Sequence, residues 1–394
     1  MKTAFRVLST ISLAHCLNDT TQSLLIAIYP LLRDNFGLNY TQLGFLSFTY
    51  QMCASVLQPL IGSYADKHPM PYSLPVGMSA TLFGLLIMAI APGYFWLLIG
   101  SAMVGIGSAV FHPESSRVAH AASAGRYGLA QSIFQVGGNA GAAFGPLLAA
   151  LFVMQHGQIS LAFFALLPLA AIISLVFISR WAVRQNRARA NARTPKIVNL
   201  PHSTVRRSLI FLFMLMFSKQ VYTMSISNFF TFYLIEKFGV STEVSQMYLF
   251  LFLGATALGT FAGGPLGDRF GRKWVIWLSI LGAAPFALAL PYVGVASTAL
   301  LAIIIGFIMA SSFSAILVFA QELMPGHVGA IAGLFFGLSF GLGGIGSAVL
   351  GNLADGQGLS FVYQICSFLP LLGLLTIFLP SEKKIRQTRE PTGY

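Results

Sequence analysis

The sequence predicts an all-α integral membrane protein with twelve transmembrane helices in two pseudo-symmetric six-helix bundles. Of its 394 residues, 56% are hydrophobic and only 9% are charged, whereas a soluble domain carries about 25% charged residues. The apolar residues form twelve runs, and each approaches the about 20 residues that a spanning helix needs. The second half of the chain also repeats patterns of the first half.

The twelve runs define the elements in chain order. They cover residues 7–32, 41–64, 72–91, 95–117, 127–153, 159–181, 208–235, 244–266, 274–292, 297–321, 328–353 and 359–379. The first run continues past Asp19 to Leu32. It is too long for the apolar region of a cleaved signal, so we expect it to remain as the first helix. The three cysteines lie in separate runs, which predicts neither a disulfide framework nor a metal site.

The net charge of +12 is distributed as the positive-inside rule requires. If both termini are cytoplasmic, all of the 23 Lys and Arg residues except Arg33, Lys219 and Lys237 fall on the cytoplasmic side or in its loops. The basic segment 182–207 is then a cytoplasmic linker that contacts anionic lipid head groups. This distribution argues against a nucleic-acid partner.

An internal repeat divides the chain. The segment GSYADK at 62–67 returns as GPLGDR at 264–269, 202 residues later. We therefore expect an N-terminal bundle at 1–181, the linker at 182–207, a C-terminal bundle at 208–380 and a cytoplasmic tail at 381–394. Parallel repeats of this kind are typical of transporters that bind their substrate between the halves, near the bilayer midplane.

The sequence GPLGDRFGRK at 264–273 resembles the cytoplasmic loop signature of the major facilitator superfamily. The first copy departs from it after Lys67, where His68 and Pro69 follow. The glycines allow close packing, and the aspartates can cap a helix or pair with arginine. A cytoplasmic gate is therefore predicted, with a plain basic turn as the alternative. The gate residues are Gly62, Asp66, Lys67, Gly264, Asp268, Arg269, Gly271, Arg272 and Lys273.

Four longer segments narrow the resemblance. HCLNDTTQSLLIAIYPLL, FHPESSRVA, GLAQSIFQVGGNAG and AILVFAQELMPG are similar to the fosmidomycin resistance proteins, a bacterial branch of drug exporters, and the similarity covers essentially the whole chain. It implies the major facilitator fold and proton-coupled export of a small anionic phosphonate by alternating access. It also implies a location in the bacterial inner membrane. We expect a monomer without cofactor or enzymatic activity. The alternative is an importer or exchanger of a small anion such as an organophosphate or nitrate.

Helix one carries a polar face in an apolar background. His15, Asn18, Asp19 and Gln22 follow the spacing i, i+3, i+4, i+7, which places them on one side of a helix. Asp19 falls near mid-membrane, where a charge costs at least ~2.5 kcal/mol. We interpret Asp19 as the first candidate for the proton-binding group. A structural stripe of hydrogen bonds is the alternative.

Helix seven carries Lys219, which shares a face with Tyr222. Lys219 is too far from the helix end for its side chain to reach water. It is predicted either to pair with a carboxylate at rest or to bind an anionic substrate, with a static buried ion pair as the alternative.

Helix five carries a neutral hydrogen-bonding stripe at every fourth position, formed by Gln131, Gln135 and Asn139. The following Gly141, Gly145 and Pro146 resemble the core of the antiporter signature of the drug exporters, although its flanking glycines are missing. Small residues at this spacing favour close helix packing.

Helix four places His112, Glu114 and Arg117 near its cytoplasmic end. Arg117 could attract an anion, His112 could hydrogen-bond it and Glu114 could couple a proton, or Arg117 could be an anchor neutralised by Glu114. The proton-coupled branch usually has an arginine where this chain has Ser101. Coupling would then fall to Asp19, followed by His112, Glu114 and Glu322.

Overall fold

The computed structural model describes residues 3–38, 40–190, 200–382 and 385. The regular structure within these ranges is helical, and the predicted twelve-helix fold class is confirmed. Eight helical stretches are long and apolar enough to cross a membrane, and Ser73–Ala89 and Val328–Gly343 are shorter apolar helices. Predictions that concern Lys2, linker residues 191–199 and most of the tail lie outside the described residues.

Among the described residues, the first six spans contain nine α-helices. These are α1 (Phe5–Ala27), α2 (Tyr29–Phe36), α3 (Tyr40–Lys67), α4 (Ser73–Ala89), α5 (Tyr94–Ala122), α6 (Tyr127–Leu148), α7 (Met154–His156), α8 (Leu161–Phe164) and α9 (Leu166–Ala190). The first span is interrupted at Ile28, just before a proline in the first turn of α2. A π-helical segment, Ala149–Val153, follows Pro146, which removes one backbone donor from the helix.

In the described part of the last six spans there are eight α-helices and three 3-10 segments. The helices are α10 (His202–Phe238), α11 (Thr242–Phe270), α12 (Arg272–Ile280), α13 (Ala284–Ala289), α14 (Val295–Ala310), α15 (Ser312–Leu323), α16 (Val328–Gln357) and α17 (Leu359–Cys366). The 3-10 segments are Leu281–Ala283, Leu290–Tyr292 and Leu369–Phe378. Helices α3 and α11 begin at residues 40 and 242, and α6 and α16 begin at 127 and 328, so the repeat extends to the helices.

The first compact unit comprises Met1–Pro195 and Gly326–Phe340. In it α1 packs along α6, while α5 packs on α3 and α4. Two glycines of α6 allow this approach, because a Cβ on Gly141 would lie 2.2 Å from the Cys16 carbonyl oxygen and one on Gly145 would lie 2.0 Å from Ser23 Oγ. Close packing of α1 on α6 therefore sets the direction in which the polar face of α1 points.

The second compact unit comprises Lys196–Pro325 and Gly341–Tyr394. Helix α11 packs on α14, and α10 packs on the 3-10 segment Leu369–Phe378. A Cβ on Gly259 would lie 2.0 Å from the Phe307 carbonyl oxygen, so this contact also depends on a glycine. The first turns of α16 belong to the first unit, whereas the predicted C-terminal bundle at 208–380 contains the whole helix.

Candidate functional site

Three ionisable side chains meet in the first unit, where α1 faces α5. His15 Nε2 lies 3.2 Å from Asp19 Oδ2, and His112 Nε2 lies 3.7 Å from Asp19 Oδ1. Both histidines are buried, whereas the Asp19 side chain is 17% exposed. We call His15, Asp19 and His112 the triad. The sequence grouped the first two by helical spacing but grouped His112 with Glu114.

The Nδ1 atom of each imidazole lies within hydrogen-bond distance of a backbone carbonyl oxygen. His15 Nδ1 lies 2.8 Å from the Phe134 carbonyl oxygen, and His112 Nδ1 lies 3.0 Å from the Ser108 carbonyl oxygen. Because a carbonyl oxygen only accepts, each Nδ1 must carry the hydrogen, and a neutral imidazole has only one N–H. Each neutral ring therefore directs the lone pair of Nε2 at the Asp19 carboxylate. One nitrogen of each imidazole and one oxygen of Asp19 lie within 4.8 Å of one another.

Four phenylalanines surround the triad. His15 stacks on Phe134 with 4.0 Å between ring centroids, and Phe111 lies 5.6 Å from both imidazoles. Phe336 and Phe340 of α16 lie 5.1 and 5.3 Å from the His112 ring. Aromatic faces favour a cation that contacts them and limit the access of water. These residues could not be predicted from the sequence, because a phenylalanine in an apolar helix carries no distinguishing signal.

The polar face of α1 continues on both sides of Asp19. Asn18 Nδ2 donates to Asp19 Oδ1 at 2.9 Å, and the Tyr50 hydroxyl donates to Gln22 Oε1 at 2.5 Å. Asn18 Oδ1 and Gln22 Nε2 are buried without a hydrogen-bond partner in the described part of the chain. A buried polar atom without a partner is costly, so these atoms suit a ligand or water. Nothing in the sequence distinguishes Tyr50 from the other tyrosines.

The neutral stripe of α6 offers similar groups. Gln131 Oε1 accepts a hydrogen bond from Ser116 Oγ at 3.0 Å. Among the described residues, Gln131 Nε2 and Gln135 Oε1 are buried without a partner, and Asn139 follows one turn later on the same helix. Helices α1 and α6 thus supply both donors and acceptors inside the first unit.

Glu114 and Arg117 pair with each other and not with the triad. Glu114 Oε2 lies 2.5 Å from Arg117 Nη2 and 3.2 Å from Ser73 Oγ. Arg117 Nη1 also donates to the Ala65 carbonyl oxygen. The pair therefore connects the end of α3, the start of α4 and α5, while His112 is directed at Asp19. The roles of Arg117 in attracting an anion and of Glu114 in coupling a proton stay predictions.

Asp66 of the first predicted gate loop caps α16. Its carboxylate accepts hydrogen bonds from the backbone N–H of Gly329 at 2.9 Å and of Ala330 at 2.8 Å. A Cβ on Gly62 would lie 2.1 Å from the Gly329 carbonyl oxygen, so the close approach of α3 and α16 requires a glycine there. Lys67 is the last residue of α3. Of the two predicted roles for Asp66, this geometry is that of a cap, stabilised by the positive end of the helix dipole.

Arg272 of the second predicted gate loop is 3% exposed and lies among three carboxylates. Its nearest contacts are Asp268 Oδ1 at 3.1 Å, Glu322 Oε1 at 3.4 Å and Glu382 Oε2 at 3.9 Å. The turn before it is made by Gly271, whose φ of 100° favours glycine. Glu322, a predicted proton carrier, therefore belongs to an ion cluster in the second unit.

The remaining gate residues lie beside this cluster. Lys273 Nζ donates to the carbonyl oxygens of Ile377 at 3.2 Å and Leu379 at 2.5 Å. The guanidinium of Arg269 lies 5.2 Å from the centroid of the Phe270 ring, and Gly264 lies one turn before Asp268 on α11. Lys273 thus connects the start of α12 to the end of the last span.

Lys219 lies in the second unit on α10. Its Nζ lies 5.1 Å from the centroid of the Phe313 ring, and none of the ion pairs among the described residues includes it. Tyr222, one turn later, is buried. An ammonium that faces an aromatic ring without a neighbouring carboxylate is suited to an incoming anion.

The comparisons with known proteins agree with this architecture. The sequence profile described as Major Facilitator Superfamily matches residues 11–348 and 221–392. The chain belongs to the major facilitator superfamily. It is 54% identical to the Fosmidomycin resistance protein of Escherichia coli (strain K12), over 97% of this chain and 94% of that protein. It is 42% identical to the MFS-type transporter YfnC of Bacillus subtilis (strain 168), over 98% of this chain and 95% of that protein.

Solved structures of the superfamily share the fold at low identity. The human organic anion transporter MFSD10 aligns with a TM-score of 0.75 and 16% identity, over 96% of this chain and all of that chain. The transporter FucP in its outward conformation aligns with a TM-score of 0.69 and 15% identity, over 98% and 99% of the two chains. The protein is therefore a multi-pass membrane transporter of this superfamily.

Proposed function

We propose that this transporter exports a small anionic drug of the fosmidomycin type in exchange for protons, by alternating access. The observation that carries the proposal is the 54% identity with the Fosmidomycin resistance protein over nearly the whole length of both chains. The polar side chains of both units support it, because a transporter of an anionic substrate needs cationic and hydrogen-bonding groups inside an otherwise apolar protein.

The triad is the proposed proton site. Two imidazole nitrogens with available lone pairs face one carboxylate, so an added proton would convert a contact between two acceptors into a charge-assisted hydrogen bond. The proton-coupled branch usually has an arginine in the fourth predicted helix, which corresponds to α5, and this chain has the uncharged Ser101 there. The triad provides an alternative coupling group. Asp19 is its centre, since both histidines face its carboxylate.

Lys219 is the proposed binding group for the anionic end of the substrate, with Tyr222 beside it. An ammonium without a carboxylate partner among the described residues leaves its charge available to a phosphonate. The side-chain amides of α1 and α6 would bind the uncharged polar groups of the substrate. Asn18, Gln22, Gln131, Gln135 and Asn139 are the residues of this second set.

The proposal includes the cellular setting. The protein would lie in the bacterial inner membrane as a monomer, with both termini in the cytoplasm and the basic linker against anionic lipids. The contacts of Asp66 and Arg272 would form and break as the transporter changes its conformation. Export would remove the drug from the cytoplasm before it reaches its target.

Accumulation of radiolabelled fosmidomycin in bacteria that produce the protein tests the proposal. Producing cells should hold less drug than control cells, and a protonophore should restore the control level. Asp19→Asn should abolish export, whereas Asp34→Asn, which changes an exposed carboxylate, should preserve it. Equal accumulation with and without the protein, at normal membrane insertion, would contradict drug export, and higher accumulation would favour the import of a small anion.

A further inference from the structure

The triad has a capacity for two protons, one on each histidine. The Nδ1–H groups of both rings are bound to backbone carbonyls, at Phe134 and Ser108, so an incoming proton can add only at Nε2. His15 Nε2 faces Oδ2 of Asp19, and His112 Nε2 faces Oδ1 of the same carboxylate. Two protons would therefore not compete for one oxygen, because each N–H would have its own acceptor.

The geometry leaves a net Coulomb attraction for a second proton after the first has bound. His112 Nε2 lies 3.7 Å from the Asp19 carboxylate, whereas the His15 and His112 ring centroids are 5.2 Å apart. Coulomb energy falls with distance, so the attraction of a second imidazolium at His112 to the carboxylate exceeds its repulsion from the first at His15. Phe134, which is stacked on His15, adds a favourable contact for a cation on that ring.

Other titratable and charged groups lie on the elements packed against Asp19 in the described part of the chain. They include Cys16 of α1, Tyr50 of α3, the Glu114–Arg117 pair of α5, and Arg180 and Arg184 at the exposed end of α9. The stripe of α6 is neutral, and the contacts from α16 are the rings of Phe336 and Phe340. Arg117 is already neutralised by Glu114, so it does not replace a proton at the triad.

We propose that the triad binds and releases two protons in each transport cycle, so that its net charge alternates between −1 and +1. This stoichiometry rests on the proposed proton-coupled export, whereas the two-proton capacity of the triad does not. With two protons moving inward for each anion that leaves, the transport cycle would carry net positive charge inward. The membrane potential would then drive export together with the pH gradient.

Nitrogen NMR of the purified full-length protein tests the capacity without any substrate. In histidine-labelled protein, the signals that disappear in His15→Gln and His112→Gln identify the two rings. Both should carry hydrogen at Nδ1 at high pH, and both should gain a second hydrogen at Nε2 as the pH falls. In Asp19→Asn, at least one ring should gain its second hydrogen only at a lower pH than in the wild type.

His156 provides a matched control. Its Nδ1 lies 2.8 Å from the Phe152 carbonyl oxygen, as in the triad, but it is exposed, and none of the ion pairs among the described residues includes it. Its nitrogen signals should be the same in Asp19→Asn as in the wild type. A second hydrogen gained by only one triad ring over the whole pH range in which the protein stays folded would overturn the two-proton capacity. A transition metal that copurifies at the triad would also overturn it.

Equilibrium transport measures the stoichiometry. In liposomes clamped at zero membrane potential, the fosmidomycin gradient should change about a hundredfold per pH unit for two protons and about tenfold for one, since each proton contributes a factor of ten. The pH range must keep the charge of the phosphonate constant. A tenfold dependence would overturn the two-proton cycle but leave proton-coupled export intact, whereas absence of any fosmidomycin gradient alongside two titrating rings would overturn the proposed function alone.

Discussion

Oδ1 of Asp66, the penultimate residue of α3, lies 2.9 Å from the backbone nitrogen of Gly329 in the first turns of α16. An aspartate in this position satisfies backbone donors that a helix start otherwise leaves unpaired. Its loss should cost about 0.5–2 kcal/mol of stability, the range measured for capping residues.

Asp66→Ala should therefore lower the thermal unfolding midpoint of the purified protein by roughly a few degrees, which is the shift expected from this loss of stability. Asp66→Asn should retain part of the cap, because its amide oxygen can still accept one hydrogen bond. Asp34→Ala, at an exposed carboxylate, is the control and should leave the midpoint unchanged. A midpoint for Asp66→Ala equal to that of the control would show that the cap does not stabilise the protein.

Gly138→Ala tests the geometry of the triad. An added Cβ would lie 2.4 Å from His15 Cε1, 2.5 Å from His15 Nε2 and 2.8 Å from Asp19 Oδ2, so it must displace the imidazole or the carboxylate. The rate of drug export should fall by at least tenfold, while membrane insertion stays normal. A tenfold change corresponds to a free-energy cost of about 1.4 kcal/mol for the displaced triad. Gly254→Ala has no atom within 4 Å of its added Cβ and should export normally. Full export by Gly138→Ala would remove the triad from the mechanism.

Lys219→Gln tests the anion site. Without the ammonium, a phosphonate loses its charged partner, and the KM for fosmidomycin should rise by about tenfold or more, equivalent to the roughly 1.5 kcal/mol or more of a charged hydrogen bond. Lys219→Arg should retain part of the affinity, and Arg206→Gln, an exposed cation on the same helix, should retain all of it. An unchanged KM in Lys219→Gln, measured in proteoliposomes, would exclude Lys219 from substrate binding.

Arg272→Gln tests the ion cluster of the second unit. The substitution leaves Asp268, Glu322 and Glu382 without their shared guanidinium, and removal of one partner from a buried ion pair typically costs about 3–5 kcal/mol. We expect a lower unfolding midpoint, because the carboxylates lose the cation that they share. Arg207→Gln, which changes an exposed guanidinium near the Phe211 ring, should have little effect. Equal midpoints in both variants would contradict a stabilising role.

The sequence predicted the features that depend on local periodicity. The spans follow from runs of apolar residues, and the polar face of α1 follows from helical spacing, because His15 and Asp19 are one turn apart on the same helix. The partner of His112 could not be predicted in this way. It depends on how α5 is rotated against α1, and that rotation is set by packing along the whole length of both helices.

The interruptions of regular α-helix within the spans could not be predicted from the sequence either. The last span ends as the 3-10 segment Leu369–Phe378, where a Cβ on Gly373 would lie 2.5 Å from the backbone nitrogen of Leu281. The run of apolar residues gives the same signal for an α-helix and for a 3-10 segment, so only tertiary contact distinguishes them. The fixed Nδ1–H of His15 is likewise a tertiary feature, since the carbonyl of Phe134 comes from another helix. The Nδ1 of His112, in contrast, lies beside the Ser108 carbonyl one turn earlier on its own helix.

Transport by the purified protein in liposomes tests the central claim most directly. With an acidic interior and an alkaline exterior, outward proton flow should drive labelled fosmidomycin to an internal concentration above the external one. Nigericin or Asp19→Asn should abolish this accumulation, while Asp34→Asn should preserve it. Accumulation that requires an alkaline interior instead, or uptake that never exceeds the external concentration, would contradict proton-coupled drug export.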